Sequence, residues 1–220
     1  MRVAIAGAGN VGRSIARELI GNGHQVLLID REPKSIKIES VPQAQWLLAD
    51  ACEIASLEES QIAGFDVLIA ATGDDKVNLV VSLLAKTEYA IPRVVARVNH
   101  PKNEWLFGEA WGVDVAVSTP RMLSALVEEA VAVGDLVRLF TFHQGEANLV
   151  ELTLPENSPC VGKRVGDIAW PADAVLSAIL RDGRVITPTA DDPLEVGDEL
   201  LFVASAEAEP LLQERLAPHH

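Results

Sequence analysis

Little in this chain could tie it together covalently. Of its 220 residues only two, Cys52 and Cys160, are cysteines, and they stand far apart without paired-ligand spacing. That excludes a disulfide framework and a structural zinc site. Basic residues are scarce as well: 18 lysines and arginines face 32 acids, for a formal charge of −14. The shortfall holds along the whole chain, with 12 basic against 17 acidic residues up to position 132 and 6 against 15 beyond it. A polyanion is bound by clustered Lys and Arg, so neither a nucleic-acid partner nor an anionic membrane surface is expected. Long apolar runs are missing too, none nearing the roughly eighteen residues that cross a bilayer. The first apolar run is broken at once by Gly7, so no secretory signal is read there. A cytosolic location follows as an expectation.

Catalytic side chains are equally thin. Tyrosine occurs once, as Tyr89, and is followed by Ala-Ile-Pro-Arg, so the Tyr-x-x-x-Lys pair of short-chain dehydrogenases is absent. His24, His100 and His143 stand alone beside turns or before a proline, where capping or solvated roles are expected. His219 and His220 follow Pro218 and read as a frayed tail or tag remnant. No catalytic set and no metal site are expected.

What is present is apolar patterning, with hydrophobic residues at 49 %, enough for folded domains. Short apolar runs at 3–6, 25–29, 45–48, 66–70, 93–98 and 113–117 alternate with helix-like stretches. Strands alternating with helices imply right-handed βαβ units and a parallel sheet. In the first helix Val11, Ile15 and Leu19 recur every four residues, and Gly21-Asn22-Gly23 supplies its stop. Further helices are expected over 75–87 and from Pro120, as the first helical residue, to Val131. From about Asp135 the pattern changes to antiparallel hairpins. LVRLFTF and LVELTL flank HQGEAN, AVLSAIL and RVIT flank Asp182-Gly183, ELLFVA follows, and 207–216 reads as a helix. The fold class expected is α/β: a Rossmann-like, doubly wound parallel sheet over 1–133, then a smaller α+β domain over 134–220.

The strongest motif is Gly7-Ala8-Gly9-Asn10-Val11-Gly12, which follows a strand and opens a helix. Its glycines allow a tight turn, close approach of backbone to a phosphate, and close helix–strand packing. The helix N-terminus offers N–H groups and positive dipole to an anion. Eighteen residues after Gly12, Asp30 closes the second strand, where a carboxylate accepts ribose hydroxyls and repels a 2′-phosphate. Arg31 beside it either softens that bias or is a solvated charge. Further candidates lie where later strands end: Asp50, Thr72 with Gly73, and Arg97, which interrupts an apolar strand and suits a phosphate. For Asp50 and Thr72, ligand contact and helix capping both stand. Asp74 and Asp75 read as first-turn acids of the next helix. Two readings of the whole set stand: a working nucleotide site, or the same scaffold kept without a ligand.

The succession GAGNVG, LLIDRE, LLADA, AATGDDKVN, RVVARVNHP and VDVAVSTP resembles the TrkA/KtrA group of potassium-transport regulators, built from RCK domains. SPCVGKRVGDI and the stretch from VLSAILRDG to LLFVAS resemble the C-terminal module of the same group, in its half-length form. The resemblance implies a cytosolic regulatory subunit without catalysis, peripherally held at the inner membrane face. It would bind NAD(H) or ATP/ADP and assemble, alone or with a related paralogue, into a ring on a Trk/Ktr-type membrane potassium channel. Matching positions imply that Gly7, Gly9 and Gly12 wrap phosphates and that Asp30 holds the adenosine ribose, with Ala8, Asn10, Val11 and Arg31 counted in the same cofactor-binding set. Asp50 and Ala51 would flank adenine, with Thr72, Gly73 and Arg97 at the phosphate or distal end. C modules of some members take a second ligand, such as cyclic di-AMP, between paired subunits. Two positions depart from the pattern. Asn10 stands where some triphosphate-binding members carry an arginine, and Arg121 follows Pro120 where some carry a metal-holding acid. The alternative is an NAD-dependent oxidoreductase with its substrate between the domains, distinguished by steady NADH turnover.

Overall fold

The computed structural model describes residues 1–131, 133–142 and 147–217. The chain divides into two compact units, one spanning Met1–Pro120 and a second beginning at Arg121.

The first unit is built on β1 (Arg2–Ala6), β2 (Gln25–Asp30), β3 (Gln45–Leu48), β4 (Val67–Ala70), β5 (Arg93–Val98) and β6 (Val115–Ser118). They form one sheet in the order β3-β2-β1-β4-β5-β6, every neighbouring pair parallel. Successive side chains of a strand point to opposite faces, and here both faces are covered. Ala4, Ala6, Leu27, Ile29, Leu68 and Ala70 pack on one side against α2 (Ile54–Glu59) and α3 (Asp75–Thr87). Val3, Ile5, Val26 and Leu28 pack on the other with Ala16, Ile15 and Leu19 of α1 (Asn10–Gly21). Continuous apolar strands are the signature of such double cover. Each fully buried leucine or isoleucine, Leu28 or Ile5 for example, contributes about 1.5–3 kcal/mol.

Sequence patterning and structure differ at several places along this stretch. Between β2 and β3 the expected helix is replaced by two 3₁₀ turns, Pro33–Ser35 and Ile38–Ser40, because Pro33 and Pro42 break so short a link. The sixth strand begins at Val115 instead of 113. Gly112, with φ of 69°, turns the chain, and the Asp114 carboxylate then accepts the Val94 amide. Finally, α4 (Thr119–Val131) starts at Thr119, so Pro120 is its second residue. α1 ends as expected, with Gly23 at φ 81° and the His24 amide donating to the Leu19 carbonyl.

The second unit carries β7 (Val137–Thr141), β8 (Ala147–Thr153), β9 (Ala174–Arg181), β10 (Arg184–Ile186), β11 (Glu199–Ser205) and α5 (Ala208–Leu216). Its sheet is antiparallel in the order β10-β9-β11-β8-β7. Both expected hairpins form. Asp182 and Gly183 have φ of 50° and 72°, as a two-residue I′ turn requires. Residues 143–146 of the HQGEAN stretch, His143 among them, lie outside the described residues, as do His219 and His220. Val150, Leu152, Leu200 and Phe202 alternate inward and meet Ala208, Leu212 and Leu216 of α5. Among the described residues no helix is long and apolar enough to cross a membrane.

Candidate functional site

The strand order reverses between β1 and β4, so the loops leaving these two strands part and open a crevice at their carboxyl ends. A cavity of about 510 Å³ lies there, within the range of small-molecule sites.

The glycine loop forms one wall, and its three glycines prove to have different reasons. Gly7 sits at φ 106°, and a Cβ there would stand 2.8 Å from the Thr72 amide nitrogen, so the turn and the neighbouring β4–α3 loop both demand glycine. At Gly12 a Cβ would fall 1.9 Å from the Gly7 carbonyl oxygen, so helix and loop can close only over glycine. Gly9 is different. Its φ is −67° and nothing lies within 4 Å of where a Cβ would be. The protein itself places no demand for glycine at Gly9, which is what a backbone left bare for a ligand looks like.

Asp30 ends β2 with its carboxylate divided: Oδ2 accepts the Ala8 amide at 2.8 Å and Oδ1 the Glu32 amide at 2.9 Å. It thereby pins the glycine loop, and a carboxylate with two oxygens keeps acceptor capacity for a further hydroxyl. Across the cavity the Arg31 guanidinium stands 3.6 Å from Asp50 Oδ2, while Asp50 Oδ1 accepts the Cys52 amide. Asp50 therefore caps a turn and also lines the cavity. Burial, reinforced by the Asp50 carboxylate, pushes the half-buried Cys52 thiol up to about 11, so it is unreactive near neutrality.

The opposite wall comes from β4 and β5. Thr72 and Gly73 leave β4, and Asp74 caps α3 by accepting the Lys76 amide. Arg97 reaches the cavity from β5, and its Nε donates to Thr119 Oγ1 at the start of α4, 3.2 Å away. Of the thirteen residues singled out from sequence, the fold gathers Gly7, Gly9, Asn10, Val11, Asp30 and Arg31 at this cavity, together with Asp50, Ala51, Thr72, Gly73 and Arg97. Ala8 and Gly12 are not in its lining: Ala8 is fully buried with its amide on Asp30, and Gly12 is spent on packing.

Sequence reasoning missed the residues that hold these walls together. Asn78, fully buried in α3, accepts the Thr72 amide and hydroxyl on Oδ1 and donates through Nδ2 to the carbonyls of Thr72 and Arg97. One side chain thus joins the ends of β4 and β5. Asp75, expected only as a first-turn acid, is buried. Burial alone would raise its pKa, but amide donors from Asn99, Asn103 and His100 hold the carboxyl below its ordinary value. The available signal was a lone Asn in the apolar run Val77–Val81. His100 caps the turn that follows by accepting the Lys102 amide.

Known proteins resemble this chain in sequence and in fold. Residues 3–119 match the TrkA-N domain and residues 149–217 the TrkA-C domain. The chain is 62% identical over 218 residues to the Trk system potassium uptake protein TrkA of Mycobacterium tuberculosis strain H37Rv, 99% of each being covered. It is 33% identical over 209 residues to a TrkA homolog of Methanothermobacter thermautotrophicus, covering 94% of this chain and 95% of that relative. A solved structure of the GsuK channel bound to NAD aligns with a TM-score of 0.70 at 18% identity, over all of this chain and 40% of that one, a likeness of fold. With one domain match spanning more than half of its length and a full-length relative this similar, the chain belongs to the TrkA family.

Proposed function

We propose that this chain is a cytosolic nucleotide-sensing subunit that gates a Trk/Ktr-type membrane potassium transporter and does not consume its ligand. The observation that carries the reading is Gly9: a glycine the fold does not require, facing a cavity at the switch point of a doubly wound sheet. The residues present suit an adenine nucleotide. Amides at the start of α1 would meet phosphates, Asp30 the ribose, Asp50 and Ala51 the adenine, and Thr72, Gly73 and Arg97 the distal end. NAD(H) and ATP/ADP both fit this description. Asn10 and Arg121 do not favour a metal-bridged triphosphate, which places NAD(H) at least level with ATP.

A ligand gates only if it binds two conformations unequally, and a coupling of about 1–3 kcal/mol suffices. The element suited to carry such a change between subunits is α4, whose Met122, Leu123, Leu126 and Val127 are exposed. These would pair with a second copy or a related paralogue in a ring. Titration with NADH, NAD, ATP and ADP, followed by calorimetry and by oligomer size, tests the reading. Asp30→Ala should cost about 1.5–3 kcal/mol of binding, the worth of a charge-assisted hydrogen bond, that is, tenfold or more in affinity. Unchanged affinity in a folded variant would overturn the site. Steady NADH oxidation with small carbonyl substrates would overturn the regulatory role in favour of an oxidoreductase, and reconstituted potassium flux that ignores every nucleotide would remove the gating.

A further inference from the structure

The second unit holds an opening of its own. Between the loop 159–171 and the last turns of α5 lies a cavity of about 580 Å³, within the range of small-molecule sites. One wall is a face of α5, where Leu211, Glu214 and Arg215 stand at i, i+3 and i+4 and so lie side by side. The other wall is the loop, which brings Lys163, Asp167, Ile168 and Trp170. The two walls are fastened to each other. The buried Ser158 hydroxyl donates to the Leu216 carbonyl at 2.6 Å, and the buried Cys160 thiol to the Arg215 carbonyl at 3.4 Å. Carbonyls in the last turn of a helix lack partners within it, so the start of the loop closes the end of α5. Trp170 is held as well: its Nε1 donates to the Val165 carbonyl at 3.0 Å, and its ring centroid lies 5.2 Å from that of Phe202. The cavity is therefore preformed.

Each wall carries one cation and one anion beside apolar surface. Lys163 and Asp167 stand on the loop, Arg215 and Glu214 on the helix, and among the described residues none of the four takes part in an ion pair. Burial pushes the Cys160 thiol up, and Lys163 and Arg215 pull against that shift, so both cations stand near this one point of the lining. Leu211 remains 53 % exposed beside them. Such a lining selects by charge. A simple anion is drawn to Lys163 and Arg215 but repelled by Asp167 and Glu214, and a simple cation meets the reverse. An uncharged apolar molecule would strip water from four charges and pair none of them. A molecule that carries both signs and an apolar group satisfies all three demands.

We propose that this cavity binds a small zwitterion with an apolar side chain, an α-amino acid such as leucine or phenylalanine. Its carboxylate meets Lys163 and Arg215, its ammonium group meets Asp167 and Glu214, and its side chain lies against Leu211, Ile168 and Trp170. One chain supplies all of these residues, so each subunit carries a complete site. The inference does not rest on the nucleotide reading.

The test is calorimetric titration of the intact protein with four probes. L-leucine and L-phenylalanine carry both charges, N-acetyl-L-phenylalanine keeps only the negative one, and L-phenylalanine amide only the positive one. Both amino acids should bind once per subunit, and each singly charged analogue about tenfold or more weaker, having lost a charge-assisted contact. Arg215→Gln should weaken phenylalanine about tenfold and narrow its advantage over the amide. Asp167→Asn should weaken it similarly and narrow its advantage over the N-acetyl form. Both positions are exposed, so the fold should survive either change. Equal affinity for phenylalanine and both analogues would show that charge is not read and would overturn the proposal. Unchanged affinity in both variants would overturn it too, as would one ligand per two subunits or no binding of either amino acid at millimolar concentration.

Discussion

In the second unit Arg181 lies against the carboxylates of Asp198 and Glu195 and the Pro193 carbonyl, and Arg138 lies against Glu209. In the first unit Arg13 meets a carbonyl and an amide, and Arg97 meets a hydroxyl. The two sets differ in what they leave over. Asp198 is fully buried and its charge is met by Arg181, so the turn after Pro193 is closed to any further ion. Arg97 lines the cavity and meets only the Thr119 hydroxyl, while Arg13 lies behind the lining on two neutral acceptors. A cation paired with a carboxylate is a brace; one that meets only neutral acceptors beside a cavity is an invitation to an anion. The same residue type is thus paired with carboxylates at Arg181 and Arg138 and left with neutral acceptors at Arg13 and Arg97.

The comparison can be broken most severely at Arg181. Arg181→Ala would strand the buried Asp198 charge, an effect of about 3–5 kcal/mol. Scanning calorimetry should show a large fall in the second unit's Tm while nucleotide affinity holds. If affinity fell equally, the division between brace and recognition site would be wrong. The next effect lies within the glycine loop. Gly12→Ala forces a methyl group into the Gly7 carbonyl and should destabilise by about 1–3 kcal/mol or more, whereas Gly9→Ala should cost about 1 kcal/mol or less. Denaturant unfolding checks both costs. Gly9→Ala should nonetheless lose nucleotide binding, which titration would detect.

The smallest effect concerns Asp75. Its carboxyl is held below the ordinary value in the folded state, so the unfolded chain binds the proton more readily. The stability it lends is therefore present above about pH 4 and is lost as pH falls through the lower, folded value. Asp75→Asn should cost about 1 kcal/mol at neutral pH, and unfolding measured from pH 7 downward should show the difference from wild type closing in acid. A constant gap would mean that shape, not charge, holds the Asn99 and Asn103 side chains.

How much was legible beforehand follows from distance along the chain. The glycine loop, its strand and helix, and Asp30 lie within thirty residues and declare themselves by order and spacing. The Asp182-Gly183 hairpin did so within two. The Asn78 junction was not legible, because its partners are Thr72 just past one strand and Arg97 on another, and an Asn in a helix gives no sign of which carbonyls it will find. The same holds for Asp75, whose partners lie 24 to 28 residues on, and for Arg13, which reads as an ordinary surface residue of an amphipathic helix. The position of β11 between β8 and β9 was also hidden, since antiparallel neighbours need not be neighbours in sequence.

By itself, then, the order of residues determined the periodicities, the glycine turn and the acid that faces it, because these depend on local backbone geometry and on which side chains must leave water. Only the tertiary structure decided which cations are neutralised and which are left facing a cavity. That outcome depends on carboxylates and carbonyls brought together from distant segments, and electrostatic pairing is a property of separation in space.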